Sequence, residues 1–220
     1  LAKVRVWDLP TRIFHWLLAA CFAGLVATGE WGGSAMEWHF RLGYAVLTLL
    51  TFRLLWGFVG GHWSRFRHFV VSPRAAYAFC TQSAKTGPSV GHNPLGSWSV
   101  LALLGFLLLQ AVAGLASDDE ILATGPLASK VPAAWVRAAT FFHTEVGKVV
   151  LIALVALHLA AIAWYRFRKQ ENLLAPMVHG DKELASAVPA SRDDIWTRLL
   201  AALLAGLCAA ALALLLRWAA

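Results

Sequence analysis

The chain is 220 residues long, 59% hydrophobic and only 14% charged, with a mean hydropathy of +0.63. A soluble domain carries roughly 25% charged residues, so this depletion excludes an ordinary soluble enzyme and points to a polytopic membrane protein. The net charge of +7 does not signal nucleic acid, because the basic residues divide by membrane side instead of gathering on one soluble face.

The opening Leu1–Thr11 lacks the basic start, apolar run and small-residue cleavage site of a signal peptide, and is expected to be a cytoplasmic start. Asp8 and Pro10 follow as a capping residue and a helix-starting proline. The first apolar span is predicted over Ile13–Thr28 and the second over His39–Val59. Ser72–Ser83 reads as a short interfacial helix or an ordinary loop, and Gly91–Gly96 as a turn. The third span is predicted over Leu95–Ala116, the fourth over Phe141–Tyr165 and the fifth over Ile195–Trp218. Each approaches the ~20 residues that a ~30 Å hydrocarbon core requires, and helices satisfy their own backbone there. The expected fold is therefore all-α: a four-helix membrane core over residues 1–180, a polar linker over 181–194 that includes Pro189, and a fifth helix over 195–218.

Lys and Arg set the expected orientation. Lys3, Arg5, Arg12, Arg65, Arg67, Arg74, Lys85, Arg166, Arg168, Lys169, Lys182 and Arg192 fall on one side; Arg41, Lys130, Arg137 and Arg217 fall on the other, beside the acidic run Asp118-Asp119-Glu120. Twelve against four is a positive-inside bias that places the N-terminus in the cytoplasm and, after five spans, the C-terminus in the periplasm. Cys21, Cys80 and Cys208 lie far apart, with no C-x-x-C or C-x-x-C-H. They read as small apolar fillers and support neither a thiol pair nor a covalently attached haem.

Four histidines lie inside or at the ends of these spans: His15, His39, His143 and His158. Ionisable groups at such depths are functional candidates, and imidazoles paired between helices suit a bis-histidine haem. His143 and His158 are 15 residues apart on the fourth span, roughly 22 Å along the axis and about 60° around it. One helix can thus offer a ligand near each surface. Alternating helix directions place His39 at the outer level with His143, and His15 at the inner level with His158. Gly43 and Gly147 each stand four residues after a ligand, where a small residue leaves room for a flat macrocycle. Ala19 does so after His15, whereas Leu154 and Ile162 flank His158. Easier helix packing is the competing explanation for such small residues.

Arg53 lies within the second span at the level of His158, and Arg12 lies one turn before His15. Each is a candidate partner for a haem propionate, with snorkelling to the interface as the alternative. His62, His68 and His179 read as solvated, and His92 as a turn residue. Gln110 reads as a polar group bonding a neighbouring helix. The fifth span has no histidine and is expected to pack beside the core or a partner.

These residues sit in segments that resemble the bacterial di-haem cytochrome b family, which includes the cytochrome b subunits of nickel–iron hydrogenases. The matching segments are VWDLPTRIFHW, HFRLGYAVL, FRLLWGFVG, GHNPLG, HTEVG and LVALHLAAI, in family order between Val6 and Gly180. The resemblance implies a four-helix core holding two non-covalent haem b groups, with haem ligands at His15, His39, His143 and His158. It also implies electron exchange with quinone and a separate redox partner, here a periplasmic c-type cytochrome or a dehydrogenase. The alternative function is a stand-alone quinone oxidoreductase that oxidises a small reductant such as superoxide. Metal-ion transport is disfavoured, because acidic side chains are nearly absent from the spans, Glu145 excepted. The sequence leaves an oligomer open.

Overall fold

The computed structural model describes residues 2–82, 89–121, 123–186 and 188–219. Leu1, Ser83 and Lys85, which enter the expectations above, lie outside the described residues, as does the side chain of Cys80. The chain opens with a short strand β1 (Ala2–Arg5), followed by helix α1 (Leu9–Trp31) and α2 (Met36–Val59). A single turn α3 (Phe66–Phe69) and α4 (Pro73–Gln82) precede α5 (Pro94–Leu115). Then α6 (Ala133–Phe141) runs through a π-helical turn, Phe142–Gly147, into α7 (Lys148–Arg168). Helix α8 (Leu174–His179), strand β2 (Asp181–Leu184) and α9 (Ile195–Ala219) complete the order.

Five helical stretches are long and apolar enough to cross a membrane: Leu9–Trp31, Gly33–Val59, Pro94–Leu115, Ala133–Arg168 and Ile195–Ala219. All five predicted spans are present. The first begins earlier than predicted because Asp8 caps it, its Oδ1 accepting the Thr11 N–H at 2.8 Å. The fourth begins eight residues early, directly after Pro132, because the interruption of its apolar pattern at Arg137 does not interrupt the helix. Segment 73–82 is a helix, not an ordinary loop. Large apolar side chains such as Phe58, Leu157 and Leu214 stand exposed along the spans, which suits a lipid environment where the backbone is already satisfied within the helix.

The chain divides into two compact units. One comprises Leu1–Ile13, Arg53–Leu103 and Leu154–Ala202. Its two-stranded antiparallel sheet pairs Ala2 with Leu184 and Arg5 with Asp181. The segment expected to be a polar linker is thus partly strand, and more of it is tied down. Ser191 donates from Oγ to the Val6 carbonyl at 2.7 Å, and its N–H donates to the Arg5 carbonyl at 2.8 Å. The Trp63 indole donates to the Pro189 carbonyl at 2.8 Å. Asp194 caps α9, its Oδ1 accepting from both the N–H and the hydroxyl of Thr197. The cause of the difference is tertiary: Arg5 finds Asp181 and Asp193 at ion-pair distance, a long-range pairing that composition does not reveal.

The other unit comprises Phe14–Phe52, Leu104–Ala153 and Leu203–Ala220. Its core joins Val46 and Leu50 of α2 to Leu107 of α5 and Leu151 of α7, with Leu18, Cys21, Phe22 and Leu25 of α1 packed against them. Four helices therefore share one apolar centre, and at the end of α9 the Trp218 ring lies 5.8 Å beneath Lys130 Nζ.

Candidate functional site

Within the second unit the structure brings the rings of His39 of α2 and His143 of the π turn close together. Their ring centres are 6.1 Å apart and their planes cross at 87°. Each ring is tied back through the same atom. His39 Nδ1 lies 3.1 Å from the Leu25 carbonyl, and His143 Nδ1 lies 2.9 Å from the Gln110 carbonyl. A carbonyl can only accept, so both Nδ1 atoms carry the proton and both Nε2 atoms keep a free lone pair. Such a bond on one ring nitrogen fixes the tautomer and aims the other nitrogen at a metal.

The spacing fits an ion held between the rings. Two nitrogen–metal bonds of about 2 Å, plus about 1 Å from each nitrogen to its ring centre, separate the centres by roughly 6 Å. The room beside the ligand also fits: a Cβ built on Gly43 would meet nothing within 4 Å. Two neutral imidazoles with open space alongside fit the donor set that a b-type haem needs. His39 and His143 would hold it, and the group would supply reversible one-electron chemistry at iron.

Gly147 differs from the expectation. In a π turn the bonds run from i to i+5, so the residue four positions on no longer sits directly over the ligand. Gly147 is buried and faces Gln110, whose amide oxygen a Cβ at that place would strike. Its missing side chain makes room for Gln110, not for a macrocycle.

Residues on the neighbouring helices complete the cradle, and sequence reasoning missed them. A Cβ on Gly29 of α1 would lie 3.3 Å from His39 Cε1, and one on Gly114 of α5 would lie 2.7 Å from His143 Cε1. The accepting carbonyl stands four residues before each glycine: Leu25 before Gly29, and Gln110 before Gly114. The same device, a carbonyl and then a bare turn, therefore serves both ligands. Thr28 adds a hydroxyl 3.3 Å from His39 Nδ1. Its proton goes to the Gly24 carbonyl at 2.7 Å, so toward the ring it can only accept. The available signal was a glycine level with each ligand on the adjacent span, seen only by comparing helices instead of reading along one.

His15 falls in the second unit, with its ring edge-on to Trp16 at 5.0 Å; His158 falls in the first. Arg53, also in the first unit, is 3% exposed and does not snorkel. Its Nη2 donates to the Ser64 carbonyl at 3.1 Å, and its guanidinium lies over the rings of Phe66 and Phe69 at 5.1 and 5.9 Å. Its Nη1 is buried without a hydrogen-bond partner. Arg12 donates from Nη1 to the Val178 carbonyl at 2.7 Å and has Asp193 Oδ2 3.8 Å from its Nη2, while its Nε is a buried donor without an acceptor among the described residues. His92 packs between Trp7 and Phe69, with both ring centres at 4.8 Å. The next residue, Asn93, caps α5 through Gly96 N–H at 2.7 Å. His62 and His68 stack on one another at 3.9 Å. His179 accepts the Asp181 N–H on Nδ1 at 3.2 Å.

A helical membrane protein with opposed, carbonyl-tethered imidazoles on different spans has the architecture of a b-type cytochrome. The family model for prokaryotic cytochrome b561 matches residues 6–180, and the chain belongs to that family. It is similar to a "Probable Ni/Fe-hydrogenase B-type cytochrome subunit" of Bradyrhizobium diazoefficiens, 26% identical over 82% of this chain and 86% of that one. A protein of the same printed name from Azotobacter chroococcum is 27% identical over 80% of this chain and 87% of its own. The corresponding hydrogenase 1 protein of Escherichia coli K12 is 26% identical over 48% of this chain and 54% of its own. No solved structure matches. The protein is a multi-pass bacterial membrane protein that transfers electrons by way of b-type haem.

Proposed function

We propose that the protein conducts electrons through two bis-histidine haems, one held by His39 and His143 and the other by His15 and His158, between a periplasmic redox partner and membrane quinone. The observation that carries the reading is the 6.1 Å approach of the His39 and His143 rings with both Nδ1 atoms tethered to backbone carbonyls. The second pair rests on the sequence, which places the two ligands at one level on spans that run in opposite directions. The buried Arg53 Nη1, without a hydrogen-bond partner among the described residues, supports an anionic group close to it, and a haem propionate has the right charge; Arg12 makes a weaker case, because Asp193 already lies 3.8 Å from its Nη2.

The positive-inside asymmetry supports a cytoplasmic N-terminus and a periplasmic C-terminus. The partner is a c-type cytochrome or a dehydrogenase. The names of the relatives, cytochrome subunits of nickel–iron hydrogenases, point to a hydrogenase as the dehydrogenase concerned. Two neutral imidazoles per iron leave no open coordination position, which suits electron transfer and not oxygen chemistry.

The test is a haem count with reduced-minus-oxidised spectra on the wild type and on alanine variants of the four histidines. The wild type is expected to carry two non-covalent low-spin haems. His39→Ala and His143→Ala should each abolish the same haem, and His15→Ala and His158→Ala the other. Retention of both haems in the His143 and His158 variants would defeat the assignment.

A further inference from the structure

We propose that Gln110 is a positioning residue for the His39/His143 site: by donating to the His143 carbonyl it holds the π turn that keeps the two imidazole planes crossed. This rests on the haem reading of that pair.

The geometry is reciprocal. Gln110 Nε2 donates to the His143 carbonyl at 2.8 Å, while the Gln110 carbonyl accepts from His143 Nδ1 at 2.9 Å. One residue of α5 thus grips both the backbone and the ring of the ligand, leaving the ring little freedom to rotate. The carbonyl that Gln110 meets lies inside the π turn Phe142–Gly147, where the regular i to i+4 ladder gives way to i to i+5 bonds. A carbonyl can only accept, so the amino half of the amide faces it, which fixes the orientation of the Gln110 side chain.

Two further observations separate this role from simple packing. Among the described residues Gln110 Oε1 is buried and has no hydrogen-bond partner, so for packing alone an apolar side chain would be the more stable occupant. Gly147, at the far end of the π turn, is the place where a Cβ would displace that same oxygen. The π turn, the glycine and the amide therefore form one device, and the 87° crossing of the rings is its product. On the other side His39 has a carbonyl and a hydroxyl near Nδ1.

The crossing has a spectroscopic signature. When axial imidazole planes cross at right angles, the two iron d orbitals that they split remain nearly degenerate, and oxidised low-spin haem gives a highly anisotropic paramagnetic resonance signal. Parallel planes lift the degeneracy and give a rhombic signal. The experiment uses the full-length haem-loaded protein, comparing wild type, Gln110→Leu, Gly147→Ala and His143→Ala by paramagnetic resonance and potentiometric titration. The wild type should show one highly anisotropic signal that is lost in His143→Ala. In Gln110→Leu that signal should move toward the rhombic class with a changed midpoint potential, while the second haem keeps its own signal. Gly147→Ala should reproduce the change with the amide still present, and it carries the test if the leucine variant does not assemble. A wild-type signal and potential in both variants would overturn the proposal. Persistence of the anisotropic signal in His143→Ala would instead overturn the haem reading beneath it.

Discussion

Asp8 shows how much one side chain can do beyond its local role. Read in the sequence it is a helix cap, and it does cap α1 through Thr11 N–H. The structure adds three donors from residues at least 48 positions away: Trp56 Nε1 at 3.1 Å, Gly61 N–H at 3.1 Å and Ser64 Oγ at 2.7 Å. The carboxylate has no solvent exposure, so these four bonds replace its hydration. A Cβ at Gly61 would collide with Asp8 Oδ2, so the close approach of that backbone requires glycine. Through Ser64 the hub also reaches Arg53, whose Nη2 binds the Ser64 carbonyl. Local spacing made the cap legible; the remaining partners depend on tertiary folding and were not. Asp8→Ala leaves buried donors without an acceptor at about 1–3 kcal/mol each. Allowing for relaxation, it should destabilise the protein by about 3–5 kcal/mol, read as an earlier thermal loss of the Soret band. An unchanged unfolding midpoint would show that the hub does not stabilise the fold.

At the scale of helices, the five spans were readable because apolar length decides them. The face that each neighbouring helix turns toward a ligand was not, since that depends on rotation about the axis. The π turn shifts this rotation between Phe142 and Gly147, and for that reason Gly43 is open beside its ligand while Gly147 is not. The two cradle glycines differ measurably in tightness. A Cβ at Gly114 would lie 2.7 Å from His143 Cε1 and 3.1 Å from Nδ1, while one at Gly29 would lie 3.3 and 3.4 Å from the matching atoms of His39. The first separation forces the ring to move; the second asks for a few tenths of an ångström. Gly114→Ala should therefore lose most of the His39/His143 haem, and Gly29→Ala should keep most of it with a modest shift in potential. Haem stoichiometry by pyridine haemochrome distinguishes the two, and equal retention would contradict the cradle geometry.

At the scale of the whole molecule, the chain's beginning is fastened to a segment some 180 residues later. The sequence presented residues 181–194 as polar and proline-containing, which describes composition but not partners; the strand pairing and the carboxylate bridges of Arg5 turn it into a clasp. The clasp is electrostatic enough to depend on pH. Burial alone pushes the Asp193 carboxyl up, but hydrogen bonds from Arg198 and the Leu9 N–H, with the charges of Arg198 and Arg5, outweigh it and hold the group below the usual carboxylate range. Burial likewise raises Asp181, and the hydrogen bond and charge of Arg5, with Lys3, overcome it. A depressed folded value means that the unfolded segment takes up protons first as the pH falls. The stabilisation is therefore complete above the unfolded value of about 4 and disappears as pH drops through the lower folded values. Amide exchange at Lys3, Val4 and Arg5, corrected for intrinsic rate, should be steady from about pH 7 to about pH 5 and accelerate below about pH 4. The Asp181→Asn/Asp193→Asn double variant should exchange faster at neutral pH, by about 10- to 100-fold if the charge-assisted bonds are worth about 1.5–3 kcal/mol, and show no further acceleration in acid. An acid acceleration that persists in the double variant would assign the titration to other groups.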